Sequence, residues 1–439
     1  MKHDVAMPVV ATPTSTNIAN QAVTSEQLAH QTYPNVKAMV KAIQPSFPVH
    51  IFRPHAVKRV TNWFVQTFPG KTLYAVKTNP TPHALAVLYQ AGVRHFDVAS
   101  LPEIQQVHSM FPDATMYYMH PVKSREAISE AYHHYGVRDF SLDSFEELHK
   151  ILEMTTTGEV DGTAPDLGLH IRLALPKGSA AHDLSGKFGA NMDEAEELLR
   201  LARKVGKRVG ICFHVGSQCM DPTAYDTAIA KAAELVRKSG IKLDVLDVGG
   251  GFPSIYPGLT PPDLSVYINT IRASVREHFG SNQPELWCEP GRALVAEGGS
   301  VVVRVELRKK DALYINDGTY GTLFDAGSPG MVFPTRLVRE GHVDNEEGGS
   351  GHAGMTGYKF FGPTCDSLDT MNGPFSLPDD VVEGDWIEIG QLGAYGSTLQ
   401  TRFNGFYSDH TVVLEDEPVM SLNTGRFTPQ ETVLMKEVA

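Results

Sequence analysis

Between residues 71 and 290 one pattern recurs: a short apolar stretch, a polar residue at its carboxyl end, then a longer segment with apolar residues at helical spacing. Eight apolar stretches read as strands, at 72–76, 94–98, 115–119, 139–142, 168–173, 209–213, 245–248 and 286–288. The patterns at 82–91, 101–111, 144–152, 192–205 and 225–239 predict helices, and strands alternating with helices require a parallel sheet. Eight repeats predict an α/β chain closed into a (β/α)8 barrel of the TIM type. After residue 292 the texture changes, and 300–307, 311–315, 381–389 and 410–414 read as strands with few helices between them, which predicts an all-β C-terminal domain. Ahead of the barrel, Val36, Met39, Val40 and Ile43 have helical spacing, and 48–52 reads as a strand with its proline at the first position, where a missing N–H does least harm. Residues 1–32 are rich in Ala, Thr, Ser, Asn and Gln without a stable period and read as a mobile arm; 344–357, with its Glu and Gly run, reads as an exposed flexible loop. The organisation expected is therefore an arm at 1–32, a helix and strand at 33–52 with the strand available to the C-terminal domain, the barrel at 53–298 and the β domain at 299–439.

Composition narrows the classes. With 42% hydrophobic and 20% charged residues over 439 positions, the chain is globular and long enough for two domains. Its formal charge of −13, from 38 basic against 51 acidic residues, repels phosphate backbones and anionic headgroups, so neither nucleic acid nor membrane is expected as a partner. That field mildly favours a small cationic substrate. Cys212, Cys219, Cys288 and Cys365 form no C-x-x-C pair and have no His at zinc spacing, which argues against a disulfide framework and a structural metal. A reducing, cytoplasmic setting is expected, and no stretch approaches the roughly 20 apolar residues of a membrane span.

In a barrel of this type the reactive groups gather at the carboxyl ends of the strands. Those positions hold Lys77, Asp97 with Ser100 and Glu103, His120, Asp143, Arg172, His214, Gly249 to Gly251, and Glu289 with Arg292. Taken singly each has a bland explanation: a strand-end lysine is usually a solvated end, a lone histidine usually packs, and a glycine run is usually a turn. Jointly they say more. Gly249, Gly250 and Gly251 follow one strand and can bring backbone N–H groups close to an anion, while Arg292 follows the next and can add a bidentate guanidinium, where barrel phosphate sites commonly lie. No G-x-x-x-x-G-K-[ST] occurs at this run, so it is not a P-loop. A phosphate seat facing the strand-end amine of Lys77 suggests a phosphorylated aldehyde bound covalently to that amine, for which pyridoxal 5'-phosphate fits. Glu289 then supplies a carboxylate to the pyridine nitrogen and keeps the ring electron-accepting.

Nine stretches carry a resemblance: Tyr74-Ala-Val-Lys-Thr-Asn-Pro80, Phe96-Asp-Val-Ala-Ser100, Phe213-His-Val-Gly-Ser-Gln218, Leu246-Asp-Val-Gly-Gly-Gly-Phe-Pro253, Cys288-Glu-Pro-Gly-Arg292, Asn316-Asp-Gly318, Gly362-Pro-Thr-Cys-Asp366, Gly393-Ala-Tyr395 and Phe403-Asn-Gly405. In this order, over residues 47–415, the chain resembles the barrel-fold pyridoxal-phosphate decarboxylases of the ornithine decarboxylase family, whose fold is alanine racemase-like. The resemblance implies that Lys77 bonds to the cofactor aldehyde, His214 stacks on its ring and Glu289 pairs with its nitrogen. Ser217, Gly249, Gly250, Gly251, Gly291, Arg292 and Tyr395 would hold the phosphate, with Asp97 and Arg172 supporting the lysine and ring. It further implies a head-to-tail homodimer with shared sites, in which Cys365 returns a proton to the substrate and Asp366 binds the distal ammonium in the partner's cavity. Asp325 and Phe403 would complete the substrate pocket. The segment after Tyr320 is shorter than in the animal enzymes, and Phe324 stands where a hydroxylated aromatic is familiar, which leaves L-ornithine (to putrescine) and L-lysine (to cadaverine) both open. Diaminopimelate decarboxylase is the nearest rival, but it usually carries Cys-Glu-Ser where this chain has Cys365-Asp366-Ser367. A racemase is disfavoured by Glu289, and a non-catalytic regulatory homologue by the presence of Lys77, His214, Arg292 and Cys365 together.

Overall fold

The computed structural model describes residues 31–156, 164–175, 186–339 and 354–422. The chain enters through strand β1 (Thr32–Tyr33), helix α1 (Val36–Ile43) and strand β2 (Val49–Phe52). Asn35 caps α1 by accepting the Ala38 N–H at 2.9 Å, and Val36, Met39 and Val40 form its buried face. Helix α2 (Pro54–Thr67) follows, with its proline at the first turn, where no N–H is required.

Eight parallel strands then close a barrel: β3 (Lys71–Ala75), β4 (His95–Val98), β5 (Thr115–Tyr118), β6 (Asp139–Leu142), β7 (Ala164–Arg172), β8 (Gly206–Cys212), β9 (Val245–Asp247) and β10 (Glu285–Cys288). Closure runs through the pairs Trp287↔Lys71 and Cys288↔Thr72. Helices α3 (Pro82–Gln90), α4 (Leu101–Met110), α5 (Arg125–His133), α6 (Phe145–Thr155), α7 (Met192–Val205), α8 (Thr223–Ser239) and α9 (Leu264–Phe279) pack outside, and a short α10 (Arg292–Val295) follows the last strand. The anticipated strands and helices lie where the pattern put them. Helices α2, α5 and α9 were not anticipated from the pattern; α5 buries only Ala127, Ile128 and Ala131, too small a face to stand out. The strand-end candidates Ser100 and Glu103 turn out to serve α4: Ser100 accepts the Glu103 N–H, and the Glu103 carboxylate accepts the Ala99 N–H at 2.7 Å. Asp143 likewise accepts the Gly189 N–H at 2.8 Å.

The barrel interior mixes apolar and polar groups. Leu73, Tyr117, Met119, Cys212, Val245 and Trp287 form one cluster, and Asp139, Ser141, His170 and Asp247 are buried beside it. Trp287 occupies the middle, with Tyr117 at 4.7 Å and His170 at 4.8 Å between ring centroids.

Beyond the barrel, β11 (Gly299–Lys309), β12 (Ala312–Ile315), β13 (Thr335–Val338), β14 (Met355–Phe361), β15 (Thr370–Pro378), β16 (Trp386–Ile389) and β17 (Thr411–Leu414) build a sheet whose main path is β1-β17-β2-β11-β12-β14-β15, with β16 bridging β11 and β13. Strand β2 pairs with β11 antiparallel and with β17 parallel, so the segment preceding the barrel is part of this sheet. Three sequence expectations are corrected. Thr32, expected to end the arm, pairs with Val413 of β17, and Tyr33 continues the pairing; residues 1–30 lie outside the described residues. Met355 to Gly357, read as loop, begin β14 because β15 supplies partners from Pro378 inward, while 340–353 lie outside the described residues. The strand expected at 381–389 contracts to Trp386–Ile389, since the Asp385 carboxylate folds Val382 into a turn. Arg53, fully buried, joins the barrel entrance to the sheet through Glu388 at 2.8 Å, Asp416 at 2.8 Å and the Ser300 hydroxyl at 2.9 Å. Among the described residues no helix is long and apolar enough to cross a membrane, and no group of three or more His, Cys, Asp or Glu could hold a metal ion.

Candidate active site

The carboxyl end of the barrel opens into a cavity of about 560 Å³, lined in part by Lys77, Arg172, His214, Glu289, Arg292 and Tyr395. Lys77 lies on a single 3-10 turn after β3, and its Nζ donates to Asp97 Oδ2 at 2.9 Å. The lysine side chain is 45% exposed toward the cavity, whereas Asp97 is buried. Burial works against the Lys77 ammonium, but the charges of Asp97 and then Glu289 outweigh it and raise its pKa above the ordinary lysine value.

His214 follows β8. Its Nδ1 accepts the Gly216 N–H at 3.0 Å, so a neutral ring carries its proton on Nε2. Neutrality is secured by burial, with help from the Arg172 and Lys77 cations, which together push the His214 pKa down to about 3. Gly250 lies against this ring: a Cβ there would sit 3.0 Å from His214 Nε2 and 2.8 Å from the Glu289 carbonyl oxygen. Glu289 faces Lys77 and Arg172; burial raises its pKa well above the usual carboxylate value, and the nearby Asp247 and Asp97 carboxylates push the same way.

Arg292 opens α10 at the other end of the cavity. Its Nη1 donates to the buried Tyr256 hydroxyl at 2.8 Å, and its Nη2 lies 3.5 Å from both the Ser217 hydroxyl and Asp325 Oδ2. Its buried Nε has no partner, and the guanidinium lies 5.1 Å from the Tyr395 ring centre. Tyr395 arrives from the sheet domain in a left-handed conformation (φ 59°), and its N–H donates to the Thr78 carbonyl at 3.0 Å, so that domain completes the Lys77 side of the site. Gly291 leaves no room for a side chain, since a Cβ would lie 2.0 Å from Thr78 Oγ1.

Within the glycine run the three residues differ. The Gly249 N–H, expected to face an anion, points inward to Asp247 Oδ1 at 2.8 Å, which removes it from that role. Among the described residues no acceptor stands against the N–H groups of Gly250 and Gly251. An unpaired Arg292 Nε, the Ser217 hydroxyl and a cradle that Cβ atoms would fill are what an anionic phosphate needs, so the residues fit the phosphorylated cofactor.

Cys365, Asp366 and Phe403 do not line this cavity. Cys365 is exposed, with its N–H donating to Asn404 Oδ1 at 3.3 Å; Asp366 accepts the Tyr320 hydroxyl, and the Phe403 ring packs tilted against Tyr320 at 4.8 Å between centroids. Asp325, by contrast, lies in the Lys77 cavity. Sequence reasoning missed Tyr256, Lys187, Phe188 and Leu399. Phe188 packs against Arg172 at 5.4 Å and His120 at 5.3 Å. Tyr256 stands on an irregular segment and Leu399 on a single 3-10 turn, both too short for a period to mark them, so nothing in the pattern distinguished them.

Comparison with known proteins agrees with this geometry. Residues 54–296 match the family model of the pyridoxal-dependent decarboxylases, pyridoxal binding domain. The chain is 33% identical to a lysine/ornithine decarboxylase of Selenomonas ruminantium over 79% of its own length and 84% of that protein. It is 32% identical to the ornithine decarboxylase of Saccharomyces cerevisiae, over 82% and 79% of the two chains. In structure it matches the arginine decarboxylase of Paramecium bursaria Chlorella virus with a TM-score of 0.72 at 28% identity, covering 86% of this chain and 98% of that one. Because the matched family segment spans more than half of the chain, and the lysine, the histidine, the buried acid and the phosphate cradle meet in one barrel-mouth cavity, this chain belongs to the pyridoxal-dependent decarboxylases.

Proposed function

We propose that the protein removes the α-carboxylate of a basic amino acid with a distal amine, L-ornithine first, giving putrescine and CO2, with L-lysine (to cadaverine) as the second substrate. The observation that carries this reading is the single cavity of about 560 Å³ joining the Lys77 amine, Glu289 and Arg292, with Asp325 within it. Pyridoxal phosphate, when bound, supplies an aldehyde for amines and a ring that accepts the electron pair left as the Cα–carboxylate bond breaks. Ser217, Gly250, Gly251, Arg292 and Tyr395 would hold the phosphate, and Tyr256 fixes the guanidinium that would do so. His214, neutral and packed on Gly250, offers a ring face without adding a charge. Glu289 would present its carboxyl group to the ring nitrogen, and the Lys77 and Arg172 cations oppose, without cancelling, the burial that raises its pKa. Lys77 must lose a proton before its nitrogen bonds to carbon, and Asp97, 2.9 Å away, is an adjacent acceptor.

We further propose that the working form is a homodimer in which the partner subunit's Cys365 delivers a proton to Cα and the partner subunit's Asp366 and Phe403 close the distal end of the pocket. The placement of this trio outside the Lys77 cavity supports the reading, as do the exposed apolar side chains around it: Leu368 is 73% exposed, and Phe324, Phe403 and Phe406 are also exposed. Four cysteines without a disulfide suit a cytoplasmic setting. The test is CO2 release from ornithine, lysine, arginine and diaminopimelate with added cofactor. Fastest release from ornithine is expected; fastest release from diaminopimelate, or none from any of the four, overturns the assignment.

A further inference from the structure

The barrel floor beneath Glu289 contains a second acid. Asp247 ends β9, directly beside Trp287 of β10, and is fully buried. Its Oδ1 accepts the Gly249 N–H at 2.8 Å, and the Gly249 carbonyl in turn accepts the Glu289 N–H at 2.8 Å, so one glycine ties the two acidic residues together. Gly249 reaches this geometry at φ +67°, where a Cβ would also strike the Phe213 carbonyl. The other oxygen, Asp247 Oδ2, is buried and has no donor, while Asp247 pairs in register with Trp287 and Glu289 stands two residues beyond Trp287, on the same side of that strand. Two adjacent carboxylates in a water-poor interior cannot both stay ionised at low cost, and a proton between them removes the repulsion and satisfies the orphaned oxygen.

We propose that Asp247 is a positioning residue for Glu289: the two carboxyl groups share one proton and one negative charge, so that Asp247 fixes the orientation and ionisation of the group offered to the cofactor's ring nitrogen. The inference rests on the role given to Glu289 above. The other groups facing the pair come from every surrounding strand. Asp97 on β4 repels both acids; His170 on β7, whose Nε2 is held by Asp139 at 2.9 Å, attracts Asp247; Lys77 and Arg172 attract Glu289. Tyr117 on β5, Cys212 on β8 and Cys288 on β10 are pushed by burial to stay neutral. Burial likewise pushes Asp247 up to about 6. Near that pH the pair therefore passes from no charge to one negative charge, because Glu289 keeps its proton to higher pH. With the one remaining proton on Glu289, that group donates to the Asp247 carboxylate and keeps its other oxygen free to accept from the ring.

A bland alternative makes Asp247 only a cap for the glycine turn. Asp247→Asn separates the two, because an amide oxygen still accepts from Gly249 but the side chain can neither ionise nor release a proton. In the wild-type protein loaded with pyridoxal phosphate, the long-wavelength cofactor absorbance is expected to show a pH-dependent step that D247N loses, with kcat altered more than KM. A titration in D247N that overlays the wild type overturns the proposal. A second measurement covers a variant that fails to fold: the infrared C=O band of a buried protonated carboxyl, present in wild type at pH 7, is expected to vanish in Glu289→Gln, because Asp247 alone ionises there, and its persistence also overturns the proposal. Failure of wild type to take up the cofactor would defeat the Glu289 reading itself, an outcome distinct from either of these.

Discussion

His214 shows how one local bond sets a site's electrostatics. With Nδ1 occupied by the Gly216 N–H and the ring buried beside two cations, the folded protein refuses a proton down to about pH 3, whereas the unfolded chain accepts one near pH 6.5. The stability contributed by this neutral ring is therefore complete above pH 6.5 and declines as pH falls toward 3. His214→Phe, which cannot be protonated, is expected to move the acid-unfolding midpoint of the cofactor-free protein to lower pH, followed by circular dichroism; an unmoved midpoint contradicts the assigned shift. At the phosphate end, Tyr256→Phe keeps the packing on Phe333 and deletes only the bond from Arg292 Nη1. Hydrogen bonds to charged groups contribute about 1.5 kcal/mol or more, so cofactor affinity should fall roughly tenfold in a fluorescence titration. Equal affinities would mean that Arg292 is positioned without this hydroxyl.

Among the elements, the loop carrying Cys365 is held by Asp369. This buried carboxylate accepts from Thr319 N at 2.7 Å, Thr364 N at 3.0 Å and Thr364 Oγ1 at 2.8 Å, binding the segment after β12 to the one after β14. Leaving such donors unmatched costs about 1–3 kcal/mol each, concentrated at this loop. Asp369→Ala is therefore expected to speed hydrogen exchange over 362–366 and to lower kcat, while cofactor affinity stays at the wild-type value because none of these residues lines the Lys77 cavity. A parallel loss of cofactor binding would show that the loop communicates with the cavity within one subunit.

For the whole molecule, the proposed sharing of sites makes a quantitative prediction. Mixing equal amounts of Lys77→Ala and Cys365→Ala subunits, each inactive alone, should restore about a quarter of wild-type activity, since random exchange makes half the dimers mixed and each mixed dimer has one intact site. No recovery after subunit exchange would place both residues in the same subunit's site. Stability of the two-part architecture depends on the ion cluster at the barrel entrance. Arg53→Ala strands Glu388, which is fully buried, and breaking a buried pair in this way costs about 3–5 kcal/mol. A clear drop in Tm is expected, and a loss within experimental error would show that Arg336, which also reaches Glu388, suffices.

The barrel and most of the residues lining the Lys77 cavity could be read from the chain because their signals are local. Apolar strands of period two, helices of period 3.6 and polar strand ends recur in order, and Lys77, His214, Glu289 and Arg292 stand at those ends by position alone. The sheet domain was less legible: β14 and β15 contain Gly357, Gly373 and Pro374, residues that signal turns locally and become strand only when the neighbouring edge supplies partners. The same holds within the site. That Gly249 turns its N–H inward, that Tyr256 holds Arg292, and that Asp247 lies against Glu289 are contacts between strands distant in sequence. What the chain settled by itself was the kind of chemistry, through residue types at predictable strand ends. Tertiary structure alone decided which hydrogen-bonding groups remain free for a ligand, because that depends on which partners the closed barrel has already matched, and no periodicity records it.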